Sequence, residues 1–186
     1  MKPNRIGLLL VACAACANPL LAKEAAKAAP APAAVPPEQA QLDYFVGQWH
    51  CNGTAFASPM GPEHKTTAML RASKAVGDRW LHITYDEDKS AQNPTPYHAG
   101  LYLGYDAGKK TIVSNCYDVM GGHCSESGTG WNGDALVLEG TAEGDGNTTP
   151  VRETLTRKGP NELVHSGEMQ GPDKKWAKVD EETCKK

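Results

Sequence analysis

The sequence predicts an all-β domain, a single antiparallel up-and-down barrel of about ten strands. Downstream of Leu42, short segments of alternating apolar and polar residues are separated by turn signals roughly every 8–12 residues. No segment in this region has a convincing helical period. Cys51 lies in the first of these segments and Cys184 in the last, as expected if the two end strands are neighbours in a closed barrel.

Residues 1–22 are typical of a secretory signal. A short basic region ends at Arg5, and residues 6–17 are apolar, rich in small side chains and too short to span a membrane. Residues 10–13 fit a bacterial lipobox, in which Cys13 is acylated, and the short apolar region favours this interpretation. Residues 15–17, or a later position at Ala22, fit an ordinary signal peptidase instead. Both interpretations predict export, either to the periplasm or to the outer membrane as an anchored lipoprotein.

Residues 23–41 form a predicted linker, and the barrel domain is assigned to residues 42–186. The linker consists mostly of Ala, Pro, Lys and Glu, and Val35 is its one sizeable apolar side chain. Such a composition cannot bury enough apolar area to offset the entropy of ordering the chain. Its prolines keep it extended, so that it serves as a semi-rigid spacer for a tethered domain.

The domain contains four cysteines, which in an exported protein indicate disulfides with three possible pairings. We predict Cys51–Cys184, which joins the first strand to the last, and Cys116–Cys124. A metal site formed by Cys116, His123 and Cys124 is the alternative, but thiolates in an oxidising compartment usually pair.

Residues 42–56 are interpreted as the first strand. Phe45, Gly47, Trp49, Cys51 and Gly53 occupy one face at a period of two, and this more apolar face should point to the core. The remaining predicted strands are residues 64–72, 79–85, 97–105, 111–120, 125–131, 135–140, 151–157, 162–169 and 176–184. Turn sequences such as Asp106–Lys109, Gly121–Gly122 and Asn132–Gly133 separate them.

Three motifs carry a family resemblance: Leu42-x-x-Phe45-x-Gly47-x-Trp49, residues 100–106 (GLYLGYD) and residues 117–121 (YDVMG). With these motifs in this order, the chain resembles a family of exported bacterial proteins known only as a domain of unknown function, with a lipocalin-like (calycin) barrel. The resemblance implies a ten-stranded antiparallel barrel and no established activity.

The chain is more distantly similar to the nitrobindins and to fatty-acid-binding barrels. In a nitrobindin-like barrel, a histidine on a late strand binds haem iron, and His165 is the one candidate here, on the same face as Leu163. The surrounding nitrobindin motif is absent. The sequence therefore predicts no cofactor, with haem as the alternative.

Five side chains are candidate ligand contacts within the barrel: Trp49, Trp80, Tyr102, Asp118 and His165. If Asp118 faces the interior, it needs a partner such as an arginine, or it orients a ligand. His50, His82 and His98 could converge with His165 inside the barrel, although half-exposed strand positions are the simpler interpretation. No G-x-S-x-G motif or other catalytic set is recognised, so an enzyme is the less favoured class.

The sequence thus favours an exported binding module for a small apolar or amphipathic molecule. The alternatives are an envelope structural or protein-interaction domain with a filled barrel, a haem protein, and an enzyme on a calycin barrel. The net charge of −3 becomes −5 without residues 1–22, which contain Lys2 and Arg5 and no acid. Because no basic cluster stands out, nucleic acid is not an expected partner. Contact with a membrane is expected only through the N-terminal lipid anchor.

Overall fold

The structure, a computed structural model, describes residues 34–186. The predicted signal region, the lipidation site at Cys13 and residues 23–33 of the predicted linker lie outside the described residues. The chain begins with a 3₁₀ helix, Pro37–Phe45. The strands that follow are β1 Gly47–Ala55, β2 His64–Ala75, β3 Trp80–Glu87, β4 His98–Asp106, β5 Thr111–Asp118, β6 His123–Gly128, β7 Trp131–Asn132, β8 Ala135–Gly144, β9 Asn147–Gly159, β10 Glu162–Gln170 and β11 Trp176–Lys185.

Ten of these strands close into an antiparallel barrel. Strands pair with their neighbours in the chain, β6 pairs with β8, and β1 pairs with β11 to complete the circle. The two-residue strand β7 pairs with β8 beside the barrel. The predicted all-β barrel of about ten strands is confirmed.

The first segment begins as a 3₁₀ helix where the sequence predicted a strand from residue 42. Its buried residues Gln39, Leu42 and Phe45 are spaced three apart, which matches the three residues per turn of a 3₁₀ helix. The Gln39 side chain accepts a hydrogen bond from the backbone N–H of Tyr105 at 2.9 Å. The packed part of the chain therefore begins before residue 42, within the predicted linker.

Two other boundaries differ from the predicted ones. Strands β8 and β9 extend to a tight hairpin at Asp145 and Gly146, which both have positive φ (49° and 75°). The sequence predicted that the first of these strands ends at residue 140 and that the next begins at residue 151. The segment predicted at 125–131 is divided between β6 and β7, and Gly130, with φ of 105°, lies at the break.

The 3₁₀ helix packs over one end of the barrel and closes an apolar core. Phe45 and Leu42 cover Trp49, which is 0% exposed and donates an Nε1–H hydrogen bond to the Phe45 carbonyl at 2.7 Å. The inward side chains beneath them are also fully buried: Leu81, Ile112, Leu136 and Leu163. The predicted inward orientation of Trp49 and Cys51 is confirmed.

Both predicted disulfides are present. Cys51 on β1 and Cys184 on β11 are directly opposite, with Cα atoms 3.9 Å apart. Cys116 on β5 and Cys124 on β6 are also cross-strand partners, with Cα atoms 4.9 Å apart. Since both sulfurs of the second pair are bonded to each other, neither is a thiolate, and the alternative metal site at Cys116, His123 and Cys124 is wrong.

The Tyr44 side chain links the 3₁₀ helix to strands β9 and β10 by hydrogen bonds. These bonds provide a first prediction. Its hydroxyl group lies 2.7 Å from the Glu162 carbonyl and 3.1 Å from the Gly159 carbonyl. Tyr44→Phe removes this donor and should lower the free energy of unfolding by about 1 kcal/mol in urea denaturation. Tyr102→Phe is the matched control, because Tyr102 is 41% exposed on the outer face and should lose less than about 0.5 kcal/mol. If Tyr44→Phe and Tyr102→Phe lower the free energy of unfolding equally, the hydrogen bonds of the Tyr44 hydroxyl do not stabilise the protein.

Candidate functional site

The inward face of the barrel changes from apolar to acidic halfway along its length. Five carboxyl groups and one imidazole face the interior in the half away from the 3₁₀ helix. They are Glu87, Glu126, Glu153, His165, Asp180 and Glu182, and we call this group the acidic chamber. The basic residues in this half of the described strands contact outer groups: Lys65 binds Thr54, Arg152 binds Glu168 and Lys178 binds Glu181. The chamber is therefore strongly acidic.

His165 lies at the centre of the chamber between two carboxylates. Its Nε2 contacts Glu153 Oε2 on β9, and its Nδ1 lies 3.2 Å from Asp180 Oδ1 on β11. Burial alone would lower the pKa of His165, but Asp180 and Glu153 outweigh burial and raise it well above the ordinary value. Burial raises the pKa of Asp180, but the His165 charge outweighs it and lowers that pKa overall. An imidazolium is thus shared between two acids.

Glu153 is the less satisfied of these two acids. Burial raises its pKa, and the opposing effect of His165 does not restore the ordinary value. The nearby carboxylates of Asp180 and Glu168 raise it further. The local balance of charge around Glu153 is therefore negative even with a protonated His165.

Glu126 on β6 is a buried carboxyl group without a normal partner. It is 6% exposed, and its Oε1 has no hydrogen-bond partner among the described residues. Its Oε2 lies 3.5 Å from Sγ of Cys124, which carries no hydrogen because it is in a disulfide. Burial raises the pKa of Glu126 to about 8, with Glu153 adding to the rise and His165 opposing it. Glu126 therefore holds a proton at neutral pH.

Glu182 and Glu87, by contrast, each accept at least two hydrogen bonds. Glu182 accepts hydrogen bonds from the hydroxyl groups of Thr66 at 2.6 Å and Tyr85 at 2.7 Å. Burial, reinforced by Glu182, raises the pKa of Tyr85, so its proton stays in place. These carboxylates form a fixed wall of the chamber.

The β3–β4 loop lies over Glu87 at the chamber end of the barrel. Glu87 Oε2 accepts hydrogen bonds from Asn93 Nδ2 at 2.8 Å and from the Tyr97 backbone N–H at 2.9 Å. The His64 ring lies 3.0 Å from Oε1. Because these donors come from the loop and from β2, Glu87 fixes the position of this loop over the rim.

Two of the five predicted ligand contacts lie in this half of the barrel. His165 is in the chamber, and Asp118 is at its rim. Asp118 accepts hydrogen bonds from the backbone N–H groups of Met120 at 2.8 Å and Gly122 at 2.9 Å, and from the Tyr97 hydroxyl at 3.4 Å. Its partners are thus its own turn and a tyrosine, where the sequence suggested Arg71, Arg79 or Arg152.

The other three candidates do not join them. Trp49 is sealed in the apolar core beneath the 3₁₀ helix. Trp80 faces outward, where its ring covers Gly104 so closely that an added Cβ would approach Trp80 Cε3 at 2.5 Å. Tyr102 is also on the outer face, against His82 with ring centroids 5.0 Å apart. The expectation that Tyr102 is an interior group is wrong, because Leu101 and Leu103 take the inward positions on β4.

The predicted histidines do not converge. His50 is exposed, His82 contacts the outward Tyr102, and His98 binds the half-exposed Asp86 at 3.2 Å. Only His165 of the four faces the chamber, while His64, which the sequence did not single out, lies at its rim. His82 and His98 take the half-exposed strand positions expected of them, whereas His50 is exposed.

Sequence reasoning missed most of the acidic chamber, although a signal was present. Glu153 alternates with Val151 and Leu155, and Glu182 precedes the inward Cys184 by two positions. Acids on the apolar face of a strand indicate a polar interior. The acids that contact His165 depend on strand register. Its direct cross-strand partners are Leu155 and Glu182, and Glu153 and Asp180 each lie two positions before one of them.

The haem alternative rests on His165, and its surroundings do not fit an iron ligand. Both ring nitrogens are engaged, one by Glu153 and one by Asp180. An axial ligand needs a free ring nitrogen, so one of these contacts would have to break. The absence of a cofactor stays a prediction.

Two surface hollows lie away from the chamber interior. One, of about 380 Å³, is on the outer face of β1–β3 and includes Gln48, Arg71 and His82. The other, of about 330 Å³, lies between the β5–β6 and β8–β9 turns and includes His123 and Glu143. Both are wide open to solvent and contain no buried polar group without a partner among the described residues, so the chamber is the stronger candidate.

The family of the chain is decided by a match over almost the whole described region. A family model described as a protein of unknown function (DUF1579) matches residues 35–186. The chain belongs to the DUF1579 family. This membership confirms the predicted resemblance to a barrel family of unknown function.

The fold of this DUF1579 protein is similar to a solved structure, the crystal structure of Rv2717c from M. tuberculosis. The TM-score is 0.62 at 15% sequence identity, covering 82% of this chain and 99% of that chain. At this identity the likeness supports the fold alone. A comparison with curated proteins finds no match. Among residues 34–186, no helix has the length and apolar character needed to cross a membrane.

Proposed function

We propose that this DUF1579 protein is an exported binding module for a small amphipathic molecule, which enters the barrel at the chamber end. The observation that carries the proposal is Glu126, whose Oε1 is the one unpartnered buried side-chain atom of the chamber among the described residues; the other two, Thr111 Oγ1 and Arg157 Nε, lie outside the chamber. Leaving such a group without a partner costs about 1–3 kcal/mol. A ligand donor that satisfies Glu126 offsets this cost.

The chamber also borders open space. Although they face inward, the side chains of His165, Glu153 and Asp180 are 27%, 29% and 30% exposed. The apolar half is filled, as Leu81 and Leu163 are each 1% exposed. The partial exposure of these three side chains therefore indicates accessible space beside the polar groups.

A purely structural barrel does not account for this arrangement. Replacing buried ionic groups by packed apolar side chains is commonly neutral or stabilising, so an acidic interior carries a cost without a structural gain. The apolar half, closed by the 3₁₀ helix, contains the fully buried core. The envelope-interaction alternative explains this half but gives no role to the chamber.

Inward apolar side chains near the rim suit the apolar part of such a ligand. Val151 and Met169 are cross-strand partners on the inward face of β9 and β10, next to Glu153. The Tyr85 and Tyr97 rings, with centroids 6.2 Å apart, add further apolar surface on the opposite wall. A polar head would thus lie among the carboxyls and a short apolar tail would point to the rim.

Native mass spectrometry of the protein purified from its native cells tests the proposal. We expect a co-purified small molecule that is absent from Ala142→Phe, which places a ring at an inward position of β8 near the rim. The matched control is Val137→Phe, because Val137 is exposed on the same strand. Urea unfolding verifies that both variants fold. If the wild-type protein carries no molecule and no cationic, neutral or anionic amphiphile raises its Tm, the proposal is wrong.

A further inference from the structure

We infer that the chamber recognises a protonated amine, so that the ligand is an amphipathic primary amine held by Glu126 and Glu153. This inference rests on the proposed function and specifies the chemical class of its ligand. It comes from the charges and unpartnered atoms of the chamber.

The charge balance of the chamber selects against an anionic ligand. Five carboxyl groups face two imidazoles: His165 is shared by Glu153 and Asp180, and His64 at the rim lies against Glu87. Fatty-acid-like ligands need a cationic partner, yet the strand residues Lys65, Arg152 and Lys178 of this half contact outer groups. A carboxylate in the chamber would be repelled, whereas an ammonium group would be attracted.

In its carboxylate form, Glu126 requires a hydrogen-bond donor for its unpartnered Oε1. Oε1 of Glu126 lacks a donor, while Glu182 and Glu87 already have two and three contacts. A primary ammonium group offers three N–H donors and no acceptor. It can bind Glu126 while its charge is attracted by Glu153, whose carboxylate is close enough to raise the pKa of Glu126, whereas an alcohol offers a single donor and no charge.

Amine binding should release a proton from the protein. Glu126 is protonated at neutral pH because burial raises its pKa to about 8. An ammonium group in contact favours the carboxylate form, so the Glu126 proton leaves to solvent as the complex forms.

The groups facing Glu126 are Ser114 and Asp118 on β5, Gly140 on β8, Glu153 on β9, His165 on β10, Asp180 and Glu182 on β11, Thr66 and His64 on β2, and Tyr85 and Glu87 on β3. Among these, His165 stays protonated between its two acids, so Glu126 is the principal source of the proton.

Calorimetric titration with three eight-carbon probes tests this inference: octylammonium, octanol and octanoate. We expect octylammonium to bind roughly 10- to 100-fold more tightly than the others, as a charged hydrogen bond contributes about 1.5–3 kcal/mol. Its binding heat at pH 7 should differ between phosphate and Tris buffers, which reveals proton release. Glu126→Gln should lose both the preference and the buffer dependence, whereas Glu139→Gln, an outward change on β8, should retain them.

Each outcome separates the inference from the proposed function. If octanol or octanoate binds as tightly as octylammonium, the amine inference is wrong and the binding module stands. If none binds while a co-purified molecule is found, the inference is again wrong and the proposed function survives. The buffer dependence of the binding heat is measured on the wild-type protein, so it tests proton release even if Glu126→Gln fails to fold. Equal heats in the two buffers would refute proton release.

Discussion

Replacing Cys51 and Cys184 together by alanine should lower the free energy of unfolding by about 5 kcal/mol. The disulfide closes a loop with a sequence separation of 133 residues, and chain-entropy stabilisation grows with loop length. It also joins β1 to β11, the pairing that completes the barrel. Because small domains are stable by only about 5–15 kcal/mol, this variant should be close to unfolding at room temperature.

The second disulfide is the internal control. Cys116 and Cys124 are 8 residues apart, and the same model gives about 2.5 kcal/mol for that loop. Urea denaturation of both double-alanine variants under non-reducing conditions gives the comparison. Equal losses, or a larger loss for Cys116 and Cys124, would contradict the role of the Cys51–Cys184 bond in closing the barrel.

The contribution of Glu126 to the free energy of unfolding should fall by roughly 4 kcal/mol as pH rises from about 4.5 to 8. Burial raises the pKa of Glu126 from 4.5 to about 8. Between these values the folded state binds a proton that the unfolded state has released, so stability falls as pH rises. At about 1.4 kcal/mol for each pH unit the full pKa difference corresponds to about 5 kcal/mol, of which about 4 kcal/mol falls between these two pH values because each titration is half complete at its own pKa.

The other chamber groups define the limits of this dependence. The raised pKa of His165 gives stability that is fully present below its unfolded value of 6.5 and is lost as pH rises through the folded value. The lowered pKa of Asp180 gives stability that is present above 3.8 and is lost as pH falls through the folded value. Maximum stability is therefore expected at mildly acidic pH.

Comparison of the wild-type protein with Glu126→Gln isolates the Glu126 contribution. The two proteins should be similar at pH 5, and Glu126→Gln should be the more stable at pH 8, because glutamine cannot ionise. Glu139→Gln is the control, since Glu139 is exposed on the outer face of β8. A difference between wild type and Glu126→Gln that does not change with pH would show that Glu126 ionises at its ordinary pKa.

The barrel could be predicted because its signals are local. Alternation within each strand assigned Trp49 and Cys51 to the core, and turn residues separated the strands. Closure followed from the positions of Cys51 and Cys184 at the two ends of the domain. The 3₁₀ helix was missed because Phe45 has the same parity as Trp49, which makes a helix ending at Phe45 look like the start of the strand.

The acidic chamber could not be assembled from the sequence, because its contacts are set by register across several strands. Glu153, His165 and Asp180 lie 12 and 15 residues apart and meet only when β9, β10 and β11 are paired. A bulge between Gly167 and Glu168 also shifts the register of β10 against β11. Tyr102 shows the converse error, since it was predicted as a ligand contact inside the barrel but lies on the outer face.

Backbone amide NMR during titration with octylammonium tests most directly whether the acidic chamber is the ligand site. We expect the largest shifts at inward positions of the chamber wall, such as Glu126, Glu153 and Gly167, and no comparable shifts at the outward Tyr102 and Val137. Saturable shifts confined to the outer face, or none at any residue of the chamber, would contradict the account.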